Sequence, residues 1–421
     1  MTSSFAKAVL AAALLASAAQ PGGAQTYRSF GEEYAGLIRD ARWRFGPLLL
    51  FPTVLVKEFG YDDNVYFEGS SGRVVRDYGG TLSPELKVYW PFRGTFLAWI
   101  RESPEYVFFL KESHQRALTN SYAAGLRTVL FHRFTVDAEY GRESHHQRVS
   151  RELPVPARDT AETWRAGVHL ETARRSSLGI SAFSRRMEYR DIVLGDTPTP
   201  LGRLFNRRER SVQADLYYQI FPESYLFLIG QLTQYAFDDP SQAYRDATSQ
   251  SLSVGLRFPL LGRLRGRLSL GYKRFRAKGE GVEPFSGFSG DTSLDYQTGR
   301  LVFRLDFRRD LVFSAFEGAG YFVDGSTRGG ASLYLTQFFL LDYNYTFGRS
   351  TYARVDPGAI PDAGDENGRT DTQRLHSIGF TIRLSDRLGL SVAWNASRWA
   401  SSLPGFDRHR NFIGANLTTR F

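Results

Sequence analysis

The chain has 421 residues, 42% of them apolar and 14% aromatic, with a mean hydropathy of −0.32. That balance excludes a bundle of membrane-spanning helices, and the absence of cysteine excludes disulfides and thiolate metal centres. The net charge of +9 is spread as 53 basic among 44 acidic residues, which argues against nucleic acid as a partner and suits a surface facing anionic lipid headgroups.

Near the amino terminus a single lysine, Lys7, precedes the apolar run 8–19 (AVLAAALLASAA) and small residues at 22–24. This is the layout of a secretory signal peptide spanning 1–24, with cleavage expected after Ala24 and with Ala18 or Ala19 as alternatives. The run falls short of the roughly 20 residues a spanning helix needs, and the longest later apolar stretch, 47–56, is shorter still. An exported chain without a transmembrane helix is expected. Residues 25–46 read as a short periplasmic lead, in which 30–44 makes one or two amphipathic turns.

From residue 47 onward, strand-like pieces follow one another. Side chains alternate faces with period two along a strand. Val212, Ala214, Leu216, Tyr218 and Ile220 oppose Ser211, Gln213, Asp215, Tyr217 and Gln219. Leu301, Phe303, Leu305 and Phe307 oppose Val302, Arg304 and Asp306, and Leu341, Tyr343, Tyr345 and Phe347 oppose Asp342, Asn344 and Thr346. Tight breaks are expected at 92–94, 131–133, 174–176, 222–224, 261–263, 308–310, 339–341 and 385–387. Longer polar connections alternate with them at 68–76, 111–119, 149–160, 193–206, 238–247, 278–290, 355–370 and 401–407, and a short hairpin at 324–327 is the exception.

The spacing predicts 18 strands over 47–421, or 16 if a blurred hairpin near 50–61 or 311–321 is not one. Only helices or closed barrels satisfy backbone hydrogen bonds in lipid. The expected fold is therefore all-β: a transmembrane, antiparallel, up-and-down β-barrel with short turns on one side and long loops on the other.

The last strand, NFIGANLTTRF, ends at Phe421 with apolar or small residues on one face and polar ones on the other. A terminal aromatic belongs in the interfacial girdle of such a barrel. With the signal peptide and the strand count, it makes the mature chain resemble Gram-negative outer-membrane β-barrel proteins of porin type. The stretches GYDDNVY at 60–66 and GGTLSPELKVYW at 79–90 resemble, more narrowly, the opening of beta-barrel porin 2 families. The resemblance implies location in the cell outer membrane, contact with outer-membrane lipid and lipopolysaccharide, passage of small hydrophilic solutes, and reading of the strand ending in Phe421 by the barrel-assembly machinery.

The alternation directs Lys87, Arg127, Arg165, Arg257, Arg265, Arg267, Lys273, Arg300, Arg304 and Arg383 inward, against Glu85, Asp137, Glu139, Glu171, Asp215, Asp306 and Asp342. A barrel of 16–18 strands is wide enough for water, and charges of both signs are natural in a wet lumen and costly in a dry one. The reading is a passive channel with a slight preference for anions, attracted by Arg265, Arg267 and Arg304; the same ladder would otherwise merely brace the wall. Inward Tyr89, Trp99, Phe183, Tyr217 and Tyr334 suit wall packing before a stacking track for sugars.

Neither Glu143 with His145 and His146, nor Asp238 with Asp239, has the spacing of a hydrolase, and the nucleophile-elbow, zinc-protease and phosphate-loop motifs are absent. No enzyme activity and no cofactor are expected. Asp62, Asp63 and Asn64 offer hard oxygens to a cation but read better as solvated rim groups, so no metal is expected. The loop 355–370, with Asp356, Asp362, Asp365 and Glu366, is the longest candidate for an inward constriction. A barrel for surface-polymer export or envelope structure is the competing class. The oligomeric state is not legible.

Overall fold

Eighteen long strands form one sheet that closes on itself in the computed structural model, which describes residues 30–69, 74–148, 152–153, 156–172, 176–194, 197–221, 224–259, 263–316, 320–353, 368–385 and 387–420. In chain order they are β1 Leu48–Asp62, β2 Asp77–Phe92, β3 Phe96–Phe109, β4 Ala117–Leu130, β5 Phe134–Arg148 and β6 Pro156–Glu171. There follow β7 Ser176–Tyr189, β8 Arg207–Phe221, β9 Ser224–Phe237, β10 Ala247–Pro259, β11 Leu264–Ala277 and β12 Phe285–Thr298. The last six are β13 Leu301–Phe313, β14 Tyr321–Tyr334, β15 Phe339–Tyr352, β16 Thr370–Arg383, β17 Leu388–Ser401 and β18 Arg408–Arg420. Each pairs antiparallel with the next, and β18 returns to β1. No helix of the described residues is long and apolar enough to cross a membrane.

Period two sets the wall. Along β8 and β9, Val212, Leu216, Tyr218, Leu228 and Leu232 stand exposed on the outside, while Ser211, Asp215, Tyr217, Phe227 and Thr233 are buried on the inside. A soluble protein would hide that outer row; in lipid it is the preferred surface. Trp90, Phe92, Phe131, Phe134 and Phe221 ring the short-turn end, where interfacial aromatics anchor a barrel.

The expected number of strands is found, but three connections lie elsewhere. Residues 308–310 and 324–327, read as a turn and a hairpin, are interior to β13 and β14 and pair with each other, Asp310 opposite Asp324. The tight turns are instead Gly299–Arg300, which removes Arg300 from the lumen, and 335–338 in place of 339–341. A longer connection, of which 314–316 and 320 are described, fills the other end. The charged and turn-forming letters misled because their partners are distant: Lys273 donates to Asp310, and the Ser350 hydroxyl donates to Asp324 at 3.0 Å. None of the three displacements changes the strand count.

The GYDDN stretch is the seam between first and last strands. A bulge at Glu58 (φ 51°) shifts the β1–β18 register. Gly60 must lack a side chain, since a Cβ there would come within 2.0 Å of the Ile413 carbonyl oxygen. Asp62 accepts the Arg410 guanidinium on both oxygens, and Asp63 accepts the Asn411 backbone N–H at 2.6 Å and its amide at 2.8 Å. The Asn64 amide donates to the His409 carbonyl at 2.9 Å. These carboxylates clasp the barrel; they are not the solvated rim groups expected, and among the described residues no cluster of acids and histidines could hold a metal ion.

Candidate functional site: the lumen and its two ends

The inner wall carries charge of both signs, held by short-range pairing. Lys87 lies 3.0 Å from Glu85, Arg304 donates to Asp295 at 2.9 Å, the Ser293 hydroxyl donates to Asp306 at 2.7 Å, and Ser332 donates to Asp342. Arg257 and Arg267 are direct cross-strand neighbours and lie over the rings of Tyr225 and Phe227 at 6.0 and 4.7 Å. Arg265 stands opposite Asp295, and Arg383 lies over Tyr334 at 5.7 Å. Arg127, Arg257, Arg265, Arg267, Arg304 and Arg383 all fall within a few residues of a tight turn. They therefore form a cationic belt at the short-turn end, with Asp295 and Asp342 among them.

A second constellation lies on the same short-turn half of the wall. His169 sits between Asp137 and Asp215, its Nε2 3.5 Å from the first and its Nδ1 3.8 Å from the second. Gly179 makes room, because a Cβ there would come within 2.3 Å of the imidazole. The sequence placed His169 between Arg165 and Glu171; in the folded chain Asp137 is on the adjacent strand β5, and Asp215 is on β8, two strands away across Gly179 of β7. Arg165 pairs across the sheet with Glu139 on one side and Phe183 on the other.

At the short-turn end an 11-residue helix, α1 (Phe30–Asp40), meets the wall. Its Glu33 accepts from Arg127 of the cationic belt, and its Tyr34 hydroxyl accepts from the Gly94 N–H of the β2–β3 turn at 3.1 Å. Phe30 is buried with its ring tilted against that of Tyr34, centroids 5.6 Å apart. Residues Trp43–Phe45 then pair back on β1, which ties the helix to the first strand.

At the opposite end, connections read from the sequence as polar pack into a buried cluster that sequence reasoning missed. Leu153, the short helix Leu201–Phe205 and Val282, with Phe237, Phe275, Phe313 and Tyr321 at the strand ends, form one apolar core. Buried Arg245 nails it, donating to the carbonyls of Leu204, Ser314 and Gly320 at 2.9, 2.7 and 3.3 Å while lying 4.7 Å over the Phe237 ring. A second buried arginine, Arg369, binds Asp371 at 2.8 Å and lies over Phe406 and Tyr352 at 4.6 and 5.0 Å. The only sequence signal was the apolar LGRLF at 201–205 inside a connection expected to be polar. The acidic stretch of the 355–370 loop, and Phe421, lie outside the described residues.

Glu152 is the buried carboxyl of this cap. It accepts the Ser314 hydroxyl at 2.7 Å and the Ala315 N–H at 2.6 Å, while burial, the largest influence, pushes its ionisation above the usual carboxylate range. A group whose folded pKa lies above its unfolded value adds stability that is full below the unfolded value, about 4.3, and is lost as pH rises through the folded value. Acidification is thus expected to tighten the cap, read as slower proteolysis of the loops. Glu152→Gln should flatten that pH dependence; a variant with the wild-type profile would assign it elsewhere.

The hydrolase candidates do not converge. Glu143 accepts from Arg101 at 3.4 Å, His146 pairs with Gln115 at 3.1 Å, and Asp239 caps Ser241 at 2.8 Å.

A family model described as Putative beta-barrel porin 2 matches residues 43–421. The chain belongs to that family. It is an outer-membrane β-barrel of porin type, with its short turns toward the periplasm and its long loops outside. Among solved structures it is similar to Pseudomonas aeruginosa OpdK with vanillate, at 12% identity and a TM-score of 0.51, covering 88% of this chain and 98% of that one. P. aeruginosa OpdO gives 11%, 0.49, 88% and 97%, and Acinetobacter baumannii OccAB4 gives 10%, 0.47, 88% and 98%. At such identities the likeness is one of fold. No curated protein matches.

Proposed function

We propose that this porin-family barrel is a passive, non-enzymatic channel for small hydrophilic solutes that prefers anions at its periplasmic end. The carrying observation is the cationic belt of Arg257, Arg265, Arg267 and Arg304, in which Asp295, Asp306 and Asp342 are interspersed. Guanidinium groups beside a wet lumen stay charged at every accessible pH and concentrate counter-ions locally. Lys87 beside Glu85, and Lys273 beside Asp310, are neutralised by their neighbours and contribute less.

Replacing Arg265, Arg267 and Arg304 together by Ser is expected to shift the reversal potential toward cations in a salt gradient. The shift should fade at high salt, as the Debye length falls from about 10 Å at 0.1 M to about 3 Å at 1 M. Vanillate, present in the OpdK structure, is a suitable test anion alongside chloride. An unmoved potential would remove the belt from the selectivity mechanism. The same reading takes 1–24 as a cleaved signal peptide, 25–46 as a lead carrying α1, 47–421 as the barrel, and Phe421 as the residue read during assembly.

A further inference from the structure

A line of charged side chains runs from the barrel wall to the helix at the periplasmic mouth. Asp215 on β8, His169 on β6, Asp137 on β5, Arg127 on β4 and Glu33 on α1 follow one another. Gly179 of β7 lets Asp215 reach the imidazole, since a Cβ there would come within 2.5 Å of an Asp215 carboxylate oxygen. Arg127 stands directly opposite Asp137 in the β4–β5 ladder, and the same guanidinium donates to Glu33. One arginine is thus shared between a carboxylate of the wall and a carboxylate of the helix.

Of the side-chain types in this line, histidine alone ordinarily changes charge between about pH 5 and 8. Protonated, the imidazole has a donor on each ring nitrogen, Nε2 toward Asp137 and Nδ1 toward Asp215. Neutral, it keeps one donor and turns a lone pair to the other carboxylate. Asp137 and Asp215 are both buried, where a missing counter-charge is felt most. The other charged or titratable side chains around this trio, among the described residues, are Arg165 and Glu171 on β6, Glu139 on β5 and Tyr217 on β8, while β7 places Ser177, Gly179 and Ser181 there. Loss of the proton therefore makes this patch of wall more negative. That change draws Arg127 toward Asp137 and repels the Glu33 carboxylate, and both effects loosen α1.

We propose that His169 is a proton-operated latch for α1: protonation leaves Arg127 to Glu33 and keeps the helix docked at the mouth, and deprotonation releases it. The proton is exchanged with lumen water, to which the His169 side chain is 13% exposed. The channel reading above is needed for the effect of the latch on current, whereas docking of the helix is observable without it.

The chain has no cysteine, so Ala35→Cys, at an exposed position of α1, can carry a single nitroxide label whose mobility reports docking in the full-length barrel in detergent. The mobile fraction is expected to rise about threefold from pH 5 to pH 8. His169→Gln should be mobile at both pH values. Asp137→Asn, which removes the carboxylate competing for Arg127, should be immobile at both; heat-modifiable mobility verifies that each variant folds. In lipid bilayers the current steps should follow the label, about twofold larger at pH 8 than at pH 5, flat and large in His169→Gln and flat and small in Asp137→Asn. Those recordings use the Glu152→Gln background, which removes the cap's own response to pH. A label that ignores pH in wild type, a wild-type response in His169→Gln, or a helix mobilised by Asp137→Asn would each overturn the latch. A label that responds in a barrel passing no current would uphold the latch and overturn the channel reading instead.

Discussion

Deleting residues 25–42, and with them α1, is expected to raise single-channel conductance severalfold. The helix stands at the periplasmic mouth on the contacts of Glu33 with Arg127 and of Tyr34 with Gly94, so it narrows the path where the cationic belt begins. A charge-assisted hydrogen bond contributes about 1.5–3 kcal/mol, enough to keep the helix docked for most of the time but not permanently. Glu33→Gln should therefore give intermediate currents with flicker, because the docked state loses its ionic contact while keeping Tyr34 and Phe30. It should also release Arg127 to the lumen and raise anion preference slightly. Recordings from the deletion that match wild type would discard α1 as a stopper.

The second large effect is expected at the outer mouth. Arg245→Ala leaves the carbonyls of Leu204, Ser314 and Gly320 without their common donor inside an apolar cluster. A buried acceptor left without a donor costs about 1–3 kcal/mol. The loss falls on the cap, whose loops are joined through this side chain, and not on the strand ladder. Limited proteolysis should cut the loops tenfold faster or more, and currents should grow larger and noisier, while the barrel keeps its heat-modifiable mobility. Arg245→Lys keeps the charge but not the planar fork and is expected to fall between. Loops as resistant as those of wild type would show that the cap is held by its apolar contacts alone.

What the sequence disclosed and what it hid have one physical origin. Period-two alternation is local, so the two faces of β8, β13 and β15 could be read from the sequence. Connections were misread where local letters imitate a turn. The Arg308–Asp310 run and the Asp324–Thr327 stretch look like turns until Lys273 and Ser350, far along the chain, are brought beside them. The seam pair Asp62–Arg410 is separated by 348 residues and the contact of Glu33 with Arg127 by 94. No spacing rule reaches that far. The cap was hidden for a further reason: loops outside a membrane are ordinarily solvated, and only the burial of Leu201, Leu204 and Phe205 reveals that these ones share a core.

The central claim is that the closed sheet encloses a continuous aqueous path. Purified full-length protein in planar lipid bilayers tests it most directly. The account predicts discrete, ohmic current steps in simple salt that scale with bulk conductivity. Folded, heat-modifiable protein that inserts yet stays electrically silent, and remains silent after removal of α1 and loosening of the cap by Arg245→Ala, would contradict it.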